Sequence, residues 1–160
     1  MALPGYSVES CVIQDPAEIE QEWLELQSRV DCSYFQSWGW IGTWLKNIVI
    51  DHNPRAVKVW FGNTLVGMGV FVNKRSSRNL IIRSDAFFLN EYPFDGCNMV
   101  IEYNGLLSDP SHCVNVYQQV IAHLFKENRK INELYFSAVK STSPLIHVAA
   151  MMKGISVRVL

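Results

Sequence analysis

The sequence predicts a mixed α/β domain in which helices cover a mixed central sheet. The chain has 160 residues, of which 49% are hydrophobic and 18% charged, enough apolar material for one folded core. In several segments the apolar residues recur at helical spacing, and between these segments they alternate with the period of a strand. Strand and helix signals follow one another along the chain, as in sheets that carry helices on both faces.

The first two elements are a strand and a helix. Tyr6 to Ile13 is a predicted strand. A helix then begins at Asp15-Pro16-Ala17-Glu18, with aspartate as the N-cap, proline in the first turn and glutamate three residues after the cap. One apolar stripe follows, formed by Ile19, Trp23, Leu26 and Val30.

An aromatic stretch, SYFQSWGWIGTWLKNI, predicts the second helix. Ser37 suits an N-cap, and five apolar residues then fall on one helical face: Trp40, Ile41, Trp44, Leu45 and Ile48. A stripe at this period is typical of a buried helix, so we expect these tryptophans to be mainly core residues rather than a binding platform. Trp38 lies off the centre of the stripe, where it could face a groove.

A hairpin is the next predicted element. Ala56–Phe61 and Leu65–Asn73 alternate with period two and flank Gly62-Asn63, a sequence typical of a two-residue turn. Gly67 and Gly69 lie on one face of the second strand. Because they carry no side chain, a helix or a ligand can approach that face closely.

The third strand region is predicted to be interrupted. The segment NLIIRS, residues 79 to 84, is strand-like, DAFFLNEYPFDG at 85 to 96 is irregular, and CNMVIEY at 97 to 103 returns to strand. Four further elements complete the prediction: a helix from Asp109-Pro110 to about Asn128, a strand at Ile131–Ser137, a short helix from Ser143-Pro144 to Gly154, and a strand at 155 to 160.

The last predicted strand, ISVRVL, is apolar and reaches the end of the chain. Such an edge needs a partner or a cover. We therefore expect residues 1 to 160 to form one domain, the N-terminal half of a longer tandem protein. The edge strand would then pair with the missing C-terminal half or with a second subunit of a homo-oligomer.

The order β-α-α-β-β-β-α-β-α-β resembles the GNAT acyltransferase fold, lacking only its last strand. The segments FQSWGWIGTW, VWFGNTLVGMGVFV and NEYPFDGCNMVIEYNGLL resemble the front half of the CelD-like acyltransferases associated with bacterial cellulose and exopolysaccharide synthesis. These proteins are similar to the FemAB-like group, in which two GNAT-like halves lie in tandem.

This resemblance implies a cytoplasmic acyltransferase that moves an acyl or acetyl group from acyl-CoA to an amine or hydroxyl of a polysaccharide or cell-envelope acceptor. In that family the second half carries the CoA-binding features, so this half alone is expected to be inactive. The alternative is a non-catalytic binding or scaffolding module that keeps the GNAT fold.

Tight binding of acyl-CoA is not expected of this half. In the GNAT fold a glycine-rich turn before the third helix holds the pyrophosphate, because free N–H groups at a helix N-terminus bind phosphate. The corresponding turn here, YNGLLSDPSHC, has one glycine, no lysine or arginine, and Asp109 at the cap. The aspartate carboxylate would repel a pyrophosphate.

Candidate site residues cluster after Ser84. The predicted catalytic residues are Glu102 and Asn104, and the predicted substrate-binding residues are Glu91, Tyr92, Asp95, Tyr103 and the more distant Trp38. An apolar, aromatic setting raises the pKa of a carboxyl group, which suits a general base for an amine or hydroxyl nucleophile. The tyrosines could donate hydrogen bonds, and Asn104 could orient a substrate. The alternative is a surface turn with solvated acids.

Charge and motif content argue against several other functions. Fourteen Lys and Arg balance 15 Asp and Glu, and the longest basic run, Lys74 to Arg78, is predicted to be a solvated turn, so a nucleic-acid binder is not expected. No signal peptide or membrane-length apolar run is visible. The four cysteines have no C-x-x-C spacing and are predicted to be free thiols of a reducing compartment.

A metal site is not predicted. His112 and His123 lie eleven positions apart on one helix, about 16 Å at the rise of an α-helix, too far to share an ion. His52 and His147 have no cysteine or carboxylate at ligand spacing.

Overall fold

The computed structural model describes residues 3–78, 82–92, 101–127 and 131–152. Its strands are β1 Tyr6–Val12, β2 Arg55–Phe61, β3 Thr64–Arg78, β4 Ile82–Leu89, β5 Leu107–Ser108 and β6 Ile131–Tyr135. Its α-helices are α1 Ala17–Gln27, α2 Trp38–Trp44, α3 Cys113–Glu127 and α4 Pro144–Met151. The predicted mixed fold and its element order are confirmed, whereas the strand predicted at 155 to 160 lies outside the described residues.

The sheet is mixed, with the order β1-β2-β3-β4-β6. Strands β1 to β4 pair antiparallel with their neighbours, and β6 pairs parallel with β4, with Ala86 opposite Glu133 and Phe88 opposite Tyr135. The chain must cross over one face of the sheet to make this parallel pair, and α3 makes that crossover.

The interrupted strand exists, but its two parts differ from the prediction. Phe71 of β3 pairs with Leu89 and Met68 of β3 pairs with Leu107, so β4 and β5 lie on the same side of β3. The described residues between them, 90 to 92 and 101 to 106, lie outside these two strands. Asp85–Leu89, predicted to be irregular, form the end of β4 because Phe87 and Leu89 are buried in the core.

Other predicted boundaries in this region were also wrong. Residues 101 to 103, predicted as strand, are not in one, and 97 to 100 lie outside the described residues. The basic run Lys74 to Arg78 is not a turn, because it extends β3 and pairs with β4. The helix predicted from Asp109 begins at Cys113, after a turn in which the Asp109 carbonyl accepts the His112 N–H at 2.9 Å.

Helices cover both faces of the sheet. One core lies under α1 and α2 and includes Trp23, Leu26, Ile41 and Trp44 packed on Met68 and Val70 of β3. The other lies under α3 and α4 and includes Val116, Val120, Leu124 and Val148 packed on Val57, Val59 and Phe71. Trp23 and Trp44 are core residues as predicted, while Trp38 and Trp40 are only partly buried.

The second helix departs from the predicted face at its C-terminal end. The α-helix ends at Trp44 and continues as a π-helical turn over Leu45–Val49. A π turn holds more residues than an α turn, which shifts the buried face by about one position. Val49 is therefore fully buried and Ile48, predicted to be core, is 36% exposed.

The two strand glycines make room for protein rather than for a ligand. A Cβ atom at Gly67 would lie 2.4 Å from Val116 of α3, and one at Gly69 would lie 2.5 Å from Leu106. Helix α3 and the segment before β5 therefore pack directly on the backbone of β3. In the predicted hairpin, Gly62 takes a φ of 58°, as a tight turn between β2 and β3 requires.

Three of the four cysteines, Cys11, Cys32 and Cys113, are free thiols, and Cys97 lies outside the described residues. Within the described ranges, every helix is too short or too polar to cross a bilayer.

Candidate active site at the carboxyl ends of the parallel strands

The carboxyl ends of β4 and β6 lie at the same edge of the sheet, since the two strands are parallel. In open α/β sheets, ligands bind outside the carboxyl ends of the strands. The residues that leave these ends are Asn90 and Glu91 after β4, and Phe136 to Lys140 after β6. They carry the polar groups of the candidate site.

Asn90 is the first residue after β4. It is fully buried and has a left-handed backbone, with φ of 51°. Its carbonyl oxygen Oδ1 accepts the Val70 N–H at 3.2 Å, and its Nδ2 donates to Asn104 Oδ1 and to the Gly105 carbonyl, both at 3.2 Å. The backbone N–H of Asn90 still donates to the Val70 carbonyl at 2.8 Å, and its side chain supplies the acceptor for the Val70 N–H.

Asn104 lies three residues before β5. It is 3% exposed, and its Nδ2 donates to the Leu89 carbonyl at 2.9 Å. Its backbone N–H donates to the Ala138 carbonyl at 3.1 Å, which ties Asn104 to the chain after β6. The two asparagines, here called the asparagine neck, therefore bond to each other and join the end of β4 to the residues before β5 and to the chain after β6.

Glu91 directly follows the first neck asparagine. It is half-buried, and the Ser137 hydroxyl, two residues after β6, donates a hydrogen bond to its carboxylate. Burial raises the pKa of the Glu91 carboxyl above its ordinary value of 4.5, and the hydrogen bond from Ser137 partly offsets this by favouring the charged form. The result is a carboxylate with increased basicity, held by a neighbouring strand end.

An exposed rim lies beside the neck. Tyr103 is 55% exposed, and the Lys140 ammonium lies 5.4 Å from the centroid of its ring. The Ser33 hydroxyl, from the loop between α1 and α2, donates to the Tyr103 carbonyl at 3.1 Å. The rim therefore combines an aromatic ring, a cation and a loop of the helical layer.

The structure brings together only some of the predicted site residues. Three of them lie at the neck: Asn104 is a neck residue with a buried amide, Tyr103 directly precedes it, and Glu91 directly follows the other neck residue. Glu102 is exposed, and Asp95 lies outside the described residues. Tyr92 and Trp38 lie elsewhere. The Tyr92 hydroxyl is 3.4 Å from His52 Nε2, and Trp38, the first residue of α2, packs against the core under α1 and α2.

Sequence reasoning missed Ser137 and Asn90 as site residues. Ser137 was predicted as the last residue of a strand, and the rule that ligands lie beyond parallel strand ends points to such positions. Asn90 had no comparable signal, because its role depends on contacts with Val70 and Asn104, 20 and 14 residues away.

The N-terminus of α3, where a GNAT protein is expected to hold the pyrophosphate of acyl-CoA, does not fit that group. The Asp109 carboxylate accepts the Ser111 N–H at 2.8 Å. His112 Nδ1 is 2.6 Å from the Tyr6 hydroxyl, to which Asn115 also donates at 2.9 Å. Residues 104 to 116 contain no lysine or arginine, so a carboxylate occupies the position at which a phosphate needs positive charge.

Metal-ligating side chains do not converge in the described part of the chain, where no three His, Cys, Asp or Glu residues form a group. His123, on α3, lies 3.2 Å from the Glu127 carboxylate. Burial lowers the pKa of His123, while the nearby Glu127 raises it in part.

No protein-family model matches the chain, and no curated protein sequence matches it. Solved structures do. An aminoglycoside acetyltransferase from an uncultured soil metagenomic sample, solved with sisomicin, is similar with a TM-score of 0.53 and 12% identity over 98% of this chain and 93% of that chain. An integron cassette protein from the mobile metagenome of V. cholerae is similar with a TM-score of 0.54 and 14% identity over 96% and 87%.

The same metagenomic acetyltransferase, solved with trehalose, gives a TM-score of 0.52 at 11% identity over 98% and 93% of the two chains. Identities this low show the fold alone. Together with the element order and the parallel β4–β6 pair, they show that this chain has a GNAT-like fold, a mixed central sheet flanked by helices.

Proposed function

We propose that this chain is the acceptor-binding part of an acyl-CoA-dependent acyltransferase, and that Glu91 accepts the proton of an amine or hydroxyl acceptor. One observation carries the proposal: a half-buried carboxylate lies at the carboxyl end of β4 and is held by Ser137 beyond β6. This is the edge of the sheet at which such folds bind ligands.

The chain's own residues account for the proton transfer as follows. The acceptor N–H or O–H would donate to the Glu91 carboxylate. As the acceptor N or O bonds to the acyl carbon and the thioester C–S bond breaks, its proton would move to a carboxylate oxygen and CoA would leave as the thiolate. Burial raises the pKa of the Glu91 carboxyl above its ordinary value, which makes the carboxylate a stronger proton acceptor. Ser137 fixes the carboxylate orientation, and the asparagine neck fixes the backbone on which Glu91 stands.

The donor side of the site is weak in this chain, because the turn before α3 carries the Asp109 carboxylate and residues 104 to 116 contain no lysine or arginine. We therefore propose that the acyl-CoA phosphates are held mainly by a C-terminal half or by a second subunit, as in the tandem proteins that the sequence resembles. The same resemblance supports a polysaccharide-linked or cell-envelope acceptor and a cytoplasmic location.

A second candidate is a binding or scaffolding module that keeps the GNAT fold without catalysis. The turn before α3 favours it, because this turn carries a carboxylate, Asp109, that would repel a phosphate near the helix N-terminus. The two candidates share the fold and differ in whether Glu91 acts on a bound acceptor.

The test has two parts. First, calorimetric titration with acetyl-CoA and with a longer-chain acyl-CoA is expected to show no saturable binding by the folded chain. Second, release of the CoA thiol is measured at millimolar acetyl-CoA with a panel of amines and amino sugars. Whereas the resemblance implies that this half alone is inactive, the proposal predicts a slow rate at these high donor concentrations. This rate should rise linearly with donor concentration, be abolished in Glu91→Gln and be retained in the exposed control Glu102→Gln.

Each other outcome has a defined meaning. Saturable acyl-CoA binding would overturn the account of the α3 N-terminus. Equal rates in Glu91→Gln and the wild type would remove Glu91 from catalysis. No release with any acceptor, from folded protein, would favour the binding module.

A further inference from the structure

A groove of about 680 Å³ lies between α1 and α2, and none of its lining residues belongs to the Glu91 site. Trp38 forms its aromatic wall. Its polar lining includes Asp15 and Glu20 from the start of α1, and Thr43 and Lys46 from the end of α2 and the following turn. The groove is open to solvent and combines one large flat ring with exposed carboxylate, hydroxyl and ammonium groups.

Trp38 is held rigidly in this groove. Its indole N–H donates to Glu20 Oε1 at 2.8 Å, and its backbone N–H donates to Gln27 Oε1 at 2.7 Å. A Cβ atom at Gly42 would lie 2.9 Å from the ring, so the ring rests on bare helix backbone. Because the ring and the backbone of Trp38 are already held by these contacts, the side chain loses little conformational entropy when a ligand stacks on the ring.

The second glycine of α2 has a different effect. A Cβ atom at Gly39 would meet only the Ser37 hydroxyl, at 3.9 Å, so alanine would fit there. Glycine is about 1 kcal/mol less favourable than alanine within a helix. The sequence nevertheless keeps glycine there, which leaves the floor of the groove beside Trp38 free of side chains.

The charges of the groove favour a cation. Two carboxylates, Asp15 and Glu20, face a single ammonium, Lys46. Asp15 Oδ1 accepts the Ala17 N–H at 2.9 Å and Glu20 Oε1 accepts the indole N–H, so each carboxylate keeps its other oxygen for a ligand. Thr43 donates its hydroxyl proton to the Gly39 carbonyl at 2.7 Å and keeps its lone pairs as acceptors.

We propose that this groove binds an amino sugar. The apolar C–H face of the pyranose would stack on Trp38, its ammonium would pair with Glu20 and Asp15, and its hydroxyls would bind Thr43 and Lys46. An aromatic ring suits a ligand with one apolar face and polar edges, and its π face also attracts a nearby cation. The proposal does not depend on the role of Glu91, which lies at another site.

The test follows the Trp38 indole N–H signal by ¹H–¹⁵N NMR, assigned with Trp38→Phe, during titration with D-glucosamine. N-acetyl-D-glucosamine keeps the ring and lacks the ammonium. We expect a saturable shift with glucosamine and weaker binding of the acetylated sugar, by up to about fivefold, the effect of one exposed charge pair.

Charge variants separate specific from nonspecific binding. In Glu20→Gln the amide oxygen can still accept the indole N–H, but the charge is lost, so glucosamine binding should weaken by up to about fivefold and that of the acetylated sugar should not change. Glu25→Gln removes the same charge from the exposed side of α1, outside the groove, and should change neither. Equal binding of both sugars, equal effects of the two variants, or no shift with either sugar would overturn the proposal.

Discussion

Two carboxylates, one on the proposed acceptor side of the site and one on the expected phosphate-binding side, have different surroundings. Glu91, at the carboxyl end of β4, is half-buried and has a raised pKa because burial disfavours its charge. Asp109 accepts the Ser111 N–H of its own turn, which precedes α3. Under the proposed function, Glu91 would serve the acceptor side of the site, whereas the Asp109 carboxylate would oppose a phosphate on the donor side.

The two sites also differ in what holds them. The Asp109 carboxylate and carbonyl are engaged locally, by the N–H groups of Ser111 and His112, and only its own N–H reaches a distant partner, the Val66 carbonyl at 2.9 Å. Glu91 depends on contacts distant in sequence, with Ser137 46 residues away and with the asparagine neck around Val70, Leu89 and Ala138. Substitutions of the neck asparagines should therefore affect the surroundings of Glu91 more strongly than those of Asp109.

The largest expected effect is on stability in Asn90→Ala. The substitution leaves the Val70 N–H, Asn104 Oδ1 and the Gly105 carbonyl without a partner in a buried setting, so we expect a loss of about 3 kcal/mol or more in the free energy of unfolding. Urea denaturation measures it.

Asn53→Ala is the matched control. Asn53 has the same φ of 51° but is exposed, so its variant reports the strain of a left-handed alanine, about 1 kcal/mol. If the two variants lose the same stability, the neck contributes nothing beyond backbone conformation.

A smaller effect is expected from Asp109→Ser. Serine can still cap the turn, but the negative charge at the helix N-terminus is removed, which is worth up to about 1 kcal/mol for an anion there. Binding of acetyl-CoA should strengthen by up to about fivefold, measured by calorimetry, while the stability should change little. If affinity does not rise, Asp109 is not what limits donor binding.

The smallest expected effect is on the pH dependence of stability in Glu91→Gln. The folded pKa of Glu91 lies above its unfolded value near 4.5, so the folded state holds this proton more tightly. The resulting stabilisation of the folded state is present below pH 4.5 and is lost as the pH rises through the folded pKa. Relative to the wild type, Glu91→Gln should therefore gain stability as the pH rises from 4 to 7. Urea midpoints at both pH values, with Glu102→Gln as the surface control, measure it; parallel curves for wild type and Glu91→Gln would contradict the raised pKa.

Much of the fold was predictable because its signals are local. The proline and serine at helix starts, the Gly62-Asn63 turn and the apolar stripes each act within a few residues. The π turn after Trp44 was not predictable from a stripe analysis that assumes one period throughout. It moved burial from Ile48 to Val49.

The candidate site was predictable only in part. The sequence indicates acids near aromatic residues, and Glu91 is one of them. Which acid becomes buried, however, depends on where β4 ends, and β4 runs five residues beyond the predicted strand because Phe87 and Leu89 enter the core. Asn104 was predicted for its chemistry, but in the folded chain its amide is used to close the neck.

The most direct test of the central claim is the titration of the Glu91 carboxyl, followed by ¹³C NMR and assigned with Glu91→Gln. The account predicts a pKa above 4.5 that rises further in Ser137→Ala, because the serine hydrogen bond favours the charged carboxylate. A Glu91 that titrates at or below 4.5, or that is unaffected by the loss of Ser137, would contradict a buried proton acceptor at the ends of β4 and β6.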